Sequence, residues 1–244
     1  MGKNSPGRKQ PKKATSPIGW IVAAVVVVVG LLIGVSYFSN QSKTPSGTAG
    51  SVPAPTGSVP APAGPVKTDA ELGAKGSVKG PDSAKVKLVE YGDFQCPSCG
   101  VAHMKQEPLL EPLITSGQVQ FTFKHFIVVD ANVGGSESQW AAEAAECAGD
   151  QGKFWAMHDY LYEHQNGEGK GNFVLSRLKQ FGATLGLEPV AFNKCLDSHT
   201  YSSRVKQQSK EAENLRLEGT PSFLVNGKLV KDGDFVKAVK EAVK

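Results

Sequence analysis

Two of the four cysteines in this chain, Cys96 and Cys99, stand in the stretch DFQCPSCGVAH (93–103) with two residues between them. Thiols at that spacing hold a metal, form a structural bridge, or exchange electrons. A structural zinc takes four ligands, often two such pairs or one pair with paired histidines. Here Cys147 and Cys195 are single and distant, and His103, His125, His158, His164 and His199 show no ligand spacing; a metal is not expected. Electron exchange needs an acidified thiol, because the thiolate is the nucleophile, and a helix N-terminus or a CxxC context lowers a cysteine from about 8.5 to roughly 3.5–7.5. Pro97 is suited to open such a helix, since the N–H it lacks would be unbonded there anyway. The helix's unpaired N–H groups and positive dipole end then face Cys96. Cys99, one turn further in, is expected to be the more buried. Cys96 should attack from an exposed position, and Cys99 should resolve the mixed disulfide.

Two further stretches bear on the same chemistry. Glu90 lies six residues before Cys96 on an apolar strand. Burying a carboxylate raises its pKa, so Glu90 is a candidate proton exchanger for Cys99, with a solvated strand-edge Glu as the alternative. GTPSF (219–223) places Pro221 at a strand start. Cis bonds make up only about 5–6% of X–Pro bonds, so the residues alone describe an ordinary trans proline.

The surrounding pattern supplies the scaffold. AKVKLVEYGDF alternates and is β-rich, predicting a buried strand at 84–92 with Val86, Leu88 and Tyr91 packing. From Pro97 the pattern turns helical, and Pro108 should kink or split that helix. A second strand is expected over 118–129 with Val119, Phe121 and Phe123 on one face. Residues 134–216 carry helical signals almost throughout. Asn226-Gly227 then marks a hairpin, and a last helix follows with Asp234 as N-cap and Phe235, Val236, Val239 and Val243 buried. Strand, helix, strand, helical block, hairpin and helix make an α/β domain with one mixed sheet and helices on both faces.

The 244-residue chain does not fold along its whole length on this reading. Residues 1–17 carry five cations and no acid, and 18–38 carry no charge. Twenty-one uncharged positions span a bilayer core of about 30 Å, so 18–38 is expected to be a transmembrane anchor; a cleaved secretory signal is the alternative. Basic residues are held on the cytoplasmic side, which puts 1–17 inside and everything after Phe38 outside. Residues 39–80, rich in Pro, Gly and Ser and repeating GSVPAP, are expected to form a disordered tether. The domain is left to 81–244. Seven of the 27 Lys and Arg precede Asp69, the first acid. The overall charge of +4 therefore comes from the anchor and tether, and does not argue for nucleic-acid binding. Outside the cytoplasm disulfides persist, and four cysteines admit three pairings.

LVEYGDFQCPSC, the helical block and GTPSFLVNG together resemble the DsbA-like thiol–disulfide oxidoreductases of bacteria. In that family a thioredoxin fold is interrupted by an all-helical insertion, and the likeness covers 84–244. It implies thioredoxin parts at about 81–130 and 217–244 around an insertion at about 131–216. It also implies that Cys96 and Cys99 are the redox pair, with Pro97 and Ser98 as the dipeptide between them. Glu90 would be the buried acid, and Thr220-Pro221 a cis-proline dipeptide facing the disulfide across the substrate groove. Cys147 and Cys195, both in the helical block, are left for each other as a structural disulfide, with a second redox pair as the alternative. The chain departs from the best-known members in having Ser98 where they have His. A neutral hydroxyl stabilises a thiolate less than a cation does, so a less extreme oxidant is expected. The family implies reduced, unfolded exported proteins as substrates, a quinone-linked membrane partner as re-oxidant, and no cofactor. A monomer is the default. The rival readings are a reductase or isomerase fed by a membrane electron donor, and a tethered binding module with structural disulfides only.

Overall fold

The structure, a computed structural model, describes residues 57–244. The expected segments 1–17 and 18–38, and the tether as far as 56, lie outside the described residues. No helix among the described residues is long and apolar enough to cross a membrane.

The sheet is built around β3 (Val86–Gly92), which pairs in parallel with β4 (Val119–His125) on one side and antiparallel with β5 (Ser222–Val225) on the other. A central strand is covered on both faces. Val86, Leu88 and Glu90 point to one face at period two, while Val89 and Tyr91 point to the other. Tyr91 therefore packs in a core cluster separate from that of Val86 and Leu88. The hairpin expected at Asn226-Gly227 is present: β5 turns to β6 (Lys228–Val230) through two residues with φ of 50° and 77°. Its strands end the sheet.

At the opposite edge the tether boundary is corrected. β1 (Ala74–Lys75) and β2 (Val78–Lys79) extend the sheet in the order β1-β2-β4-β3-β5-β6, so the fold begins well before residue 81. The composition changes here: after Pro65 the Pro and Ser repeats give way to Leu72, Ala74 and Val78. Covering the free edge of β4 keeps it from pairing with other chains. Asp69 anchors this segment, its carboxylate accepting the N–H groups of Phe154 and Trp155 at 3.1 Å each. Further upstream, Tyr160 and Arg177 donate to the carbonyls of Pro60 and Gly57.

The helix after Cys96 splits at proline as expected. α1 (Pro97–Lys105) gives way to a 3₁₀ turn at Glu107–Leu109 and then to α2 (Glu111–Thr115). The strand expected to reach 129 stops at His125. Side chains take the backbone donors that follow: Ser209 accepts Ile127 N–H, and Asp93 Oδ2 accepts those of Val128 and Val129 at 2.9 Å. The insertion is built of helices joined by loops: α3 (Val129–Val133), α4 (Glu137–Gly149), α5 (Phe154–Glu163), α6 (Leu175–Thr184), α7 (Pro189–Asp197) and α8 (Ser202–Asn214). The last helix, α9 (Phe235–Val243), buries Phe235 and Val239 and half-buries Val236 and Val243. Asp234 holds the N-cap position but its side chain makes no capping bond.

Candidate active site

Cys96 is the N-cap of α1 and Pro97 its first residue, as the spacing predicts. Both Cys96 and Cys99 are free thiols. Cys99 is fully covered, and Cys96 is only 8% exposed, less open than expected. Two groups far away in sequence account for the cover. The Thr220 carbonyl accepts from Cys96 Sγ at 3.3 Å, and Gln165 Nε2 spans the carbonyls of Phe94 and Cys96 at 2.6 and 3.1 Å. Gly100 makes room for this clamp, because a Cβ there would collide with Gln165 Oε1. Gln165 carries no sequence signal for this role.

The two sulfurs differ in acidity for identifiable reasons. Cys96 is lowered to about 6, first by a hydrogen bond from Cys99, and further by the Thr220 side chain and the N–H groups of Cys99 and Ser98. Those N–H groups are the free donors of the first helical turn. Cys99 is pushed well above the ordinary thiol value, first by burial and then by its bond to Cys96 and the charge of Glu90. One sulfur is thus a ready thiolate and its neighbour a held thiol.

Glu90 sits behind the pair, fully covered on the inner face of β3. Burial and then the Glu107 carboxylate raise it well above the usual carboxylate range, which favours its protonated form. The wall around it is aromatic: Phe94 packs on Phe123 and Tyr162 at centroid distances of 5.3 and 4.9 Å. Gly92 lets β3 approach that wall, where a Cβ would meet Phe123 at 2.6 Å. Asp93 and Gln95 fix the loop into α1. Asp93 Oδ1 accepts Gln95 N–H at 2.9 Å, and Gln95 Nε2 donates to Asp130 and Ser138 at 2.9 and 2.8 Å.

In front of the pair, the Thr220–Pro221 bond is cis. A groove of about 540 Å³ runs past Ser98, Thr220 and Pro221, with Arg216, Leu229 and Asp232 on its walls. The structure therefore gathers Cys96, Pro97, Ser98, Cys99, Glu90, Thr220 and Pro221 at one place. Cys147 and Cys195 are elsewhere, bonded to each other between α4 and α7 with Cα atoms 5.9 Å apart. One grouping escaped the sequence spacing: ligand atoms of His103, His158 and Asp159 come within 4.8 Å of one another. The Lys79 ammonium also acts on His103 and Asp159, and opposes a cation there.

A dithiol at a helix N-terminus, backed by a buried acid and faced by a cis-proline across a mixed sheet, defines the thioredoxin class. The thioredoxin family model matches residues 74–244. The chain belongs to that family and, within it, to the DsbA-like thiol–disulfide oxidoreductases. It is 30% identical over 170 residues to disulfide bond formation protein D of Bacillus subtilis, covering 68% of this chain and 74% of that one. The structure of oxidised BdbD from Bacillus subtilis is similar at TM-score 0.62 and 26% identity, over 69% of this chain and 93% of that one. It is also 36% identical over 167 residues to the Na(+)/H(+) antiporter NhaA 1 of Salinispora arenicola; the match takes in 68% of this chain but only 24% of the antiporter's length.

Proposed function

We propose that the protein introduces disulfide bonds into reduced, unfolded exported proteins, and that Cys96 and Cys99 carry the electrons without a cofactor. The observation that carries this reading is the acidity split across the pair, with Cys96 at about 6 and Cys99 held as a thiol. Stabilising the Cys96 thiolate stabilises the reduced enzyme, and a dithiol whose reduced form is favoured is an oxidant.

In the forward reaction a substrate thiolate attacks Cys96 Sγ of the disulfide. The Cys96–Cys99 bond breaks, a mixed disulfide forms, and Cys99 leaves as a thiolate that takes the Glu90 proton. A second substrate thiolate then attacks the substrate sulfur of the mixed disulfide. It expels Cys96 as a thiolate, with two electrons passed from substrate to enzyme. The groove past Thr220 and Pro221 suits an extended substrate segment. A quinone-linked membrane partner would return the enzyme to the disulfide state.

The domain acts outside the cytoplasm on this reading, held to the membrane by the apolar run 18–38. The bonded Cys147–Cys195 pair supports an oxidising compartment. The test is to refold a reduced, multi-cysteine protein with wild type and with Cys96→Ala, and to measure the Cys96–Cys99 potential. Oxidation by wild type alone supports the reading. A potential as low as that of thioredoxin, about −270 mV, with no oxidase activity would assign a reductase instead.

A further inference from the structure

Glu90 is sealed in the interior, yet one proton must enter here each time the disulfide opens and leave each time it closes. On the proposed function, a substrate segment would occupy the groove in front when the proton is needed. Behind Glu90 lies Glu107, whose carboxylate acts on it; both Glu90 oxygens and Glu107 Oε1 are buried with no hydrogen-bond partner among the described residues. A proton held on either carboxyl would let the two pair with each other. Glu107 Oε2 in turn lies 3.4 Å from His103 Nδ1. The series runs from inside to outside: Glu90 is fully covered, whereas the Glu107 and His103 side chains are 12% and 14% exposed. Both line a cavity of about 340 Å³ whose rim carries the exposed Pro108 and Glu111. The split of the helix at Pro108 ends α1 just before Glu107.

We propose that Glu107 and His103 pass protons between Glu90 and solvent at this cavity, an inference that rests on Cys96 and Cys99 being the working dithiol. When Cys99 leaves, it takes the Glu90 proton. The Glu90 carboxylate then takes one from the His103 imidazolium by way of Glu107, and solvent recharges His103. Re-oxidation runs the same protons outward, and no electrons use this route. The resting charges suit the task. Burial opposes a charged His103, but the Glu107 carboxylate outweighs it and raises the ring above its ordinary value. Burial likewise opposes a charged Glu107, and His103 with the charge on His158 holds it below the usual range.

The other groups facing this line come from several elements. From α5, Tyr162 is raised well above its ordinary range by burial and stays neutral, and burial lowers His158. Asp159 and Lys79 sit on the cavity wall with opposite charges. Cys96 and Asp232 add negative charge that further favours the proton on Glu90.

The test uses the full chain with glutathione joined to Cys96, and follows by rapid quench and mass spectrometry the rate at which Cys99 expels it. Glu107→Gln and His103→Ala are each expected to slow this step on the order of tenfold. Alkylation of Cys96 should be unchanged, and added imidazole should restore the His103→Ala rate. If both variants stay within about twofold of wild type while Glu90→Gln is slow, the relay is wrong and the function stands. Slowing that imidazole does not relieve means a structural role only, and also overturns the relay. If no wild-type mixed disulfide at Cys96 resolves through Cys99, the function itself falls and the relay with it.

Discussion

Cys96 and Cys99 are free thiols at the start of α1, while Cys147 and Cys195, 48 residues apart, are bonded between two helices of the insertion. Cys96, Cys99 and Cys147 are buried and Cys195 is partly so, and greater exposure therefore does not set the first pair apart. The first pair meets unbonded N–H groups, the Thr220 side chain and a buried Glu90 raised above the usual carboxylate range. Asp150, at the C-terminus of α4, is the polar neighbour of the second pair, with Oδ2 3.9 Å from Cys195 Sγ. A thiolate is favoured in the first setting and gains nothing in the second. One pair is placed to trade partners and the other to hold two helices together.

Substitution should separate those roles. Cys96→Ala is expected to remove oxidase activity altogether in a refolding assay while the chain still folds. Replacing Cys147 and Cys195 together by Ala should instead cost stability. The bridge closes a loop of about 49 residues, worth roughly 4 kcal/mol in the chain-entropy model, so Tm should fall by on the order of 10 °C while activity at 25 °C persists. If the double variant lost activity without losing stability, the insertion pair would be a second redox centre.

Glu90→Gln should slow the Cys99 step about a hundredfold, the lower end for loss of a general acid. It also has a stability signature with a defined sign. A carboxyl raised on folding keeps its proton where the unfolded chain has lost it, so it costs stability as pH rises above about 4.3. Glu90→Gln should therefore raise Tm at neutral pH and leave it nearly unchanged at about pH 4. Thermal melts at the two pH values check this. Cys96 works in the opposite sense. Its thiolate stabilises the reduced form, fully above the unfolded thiol value and progressively less as pH falls through about 6.

The smallest effect is expected at the clamp. Gln165→Ala leaves the Phe94 and Cys96 carbonyls without its amide, and should lower the oxidation rate by about threefold, with a Tm loss of a few degrees from one hydrogen bond. Rate and melt measured together distinguish this from loss of the dithiol.

The parts legible in the sequence are those set by neighbours along the chain. Alternation gave β3 away, Pro97 and Pro108 marked where α1 begins and ends, and Asn226-Gly227 marked the hairpin. Cys96, Cys99 and Glu90 were readable because a strand, a turn and a helix hold them together within ten residues. The cis bond at Pro221 rested on family likeness alone, since local chemistry favours trans. What escaped was brought in from a distance. Gln165 reaches the site from beyond α5, Glu107 acts on Glu90 from the 3₁₀ turn, and Asp69 caps α5 from what the composition describes as tether. The near closure of Cys96 has the same origin, since Thr220 and Gln165 are remote in sequence.

The most direct test is a pH titration of the Cys96 thiolate in the reduced protein, read by alkylation rate with mass-spectrometric assignment of the labelled cysteine. A midpoint near 6, with Cys99 unlabelled throughout, is the result predicted by these surroundings. A midpoint at the ordinary thiol value of about 8.5, or equal labelling of both cysteines, would contradict it.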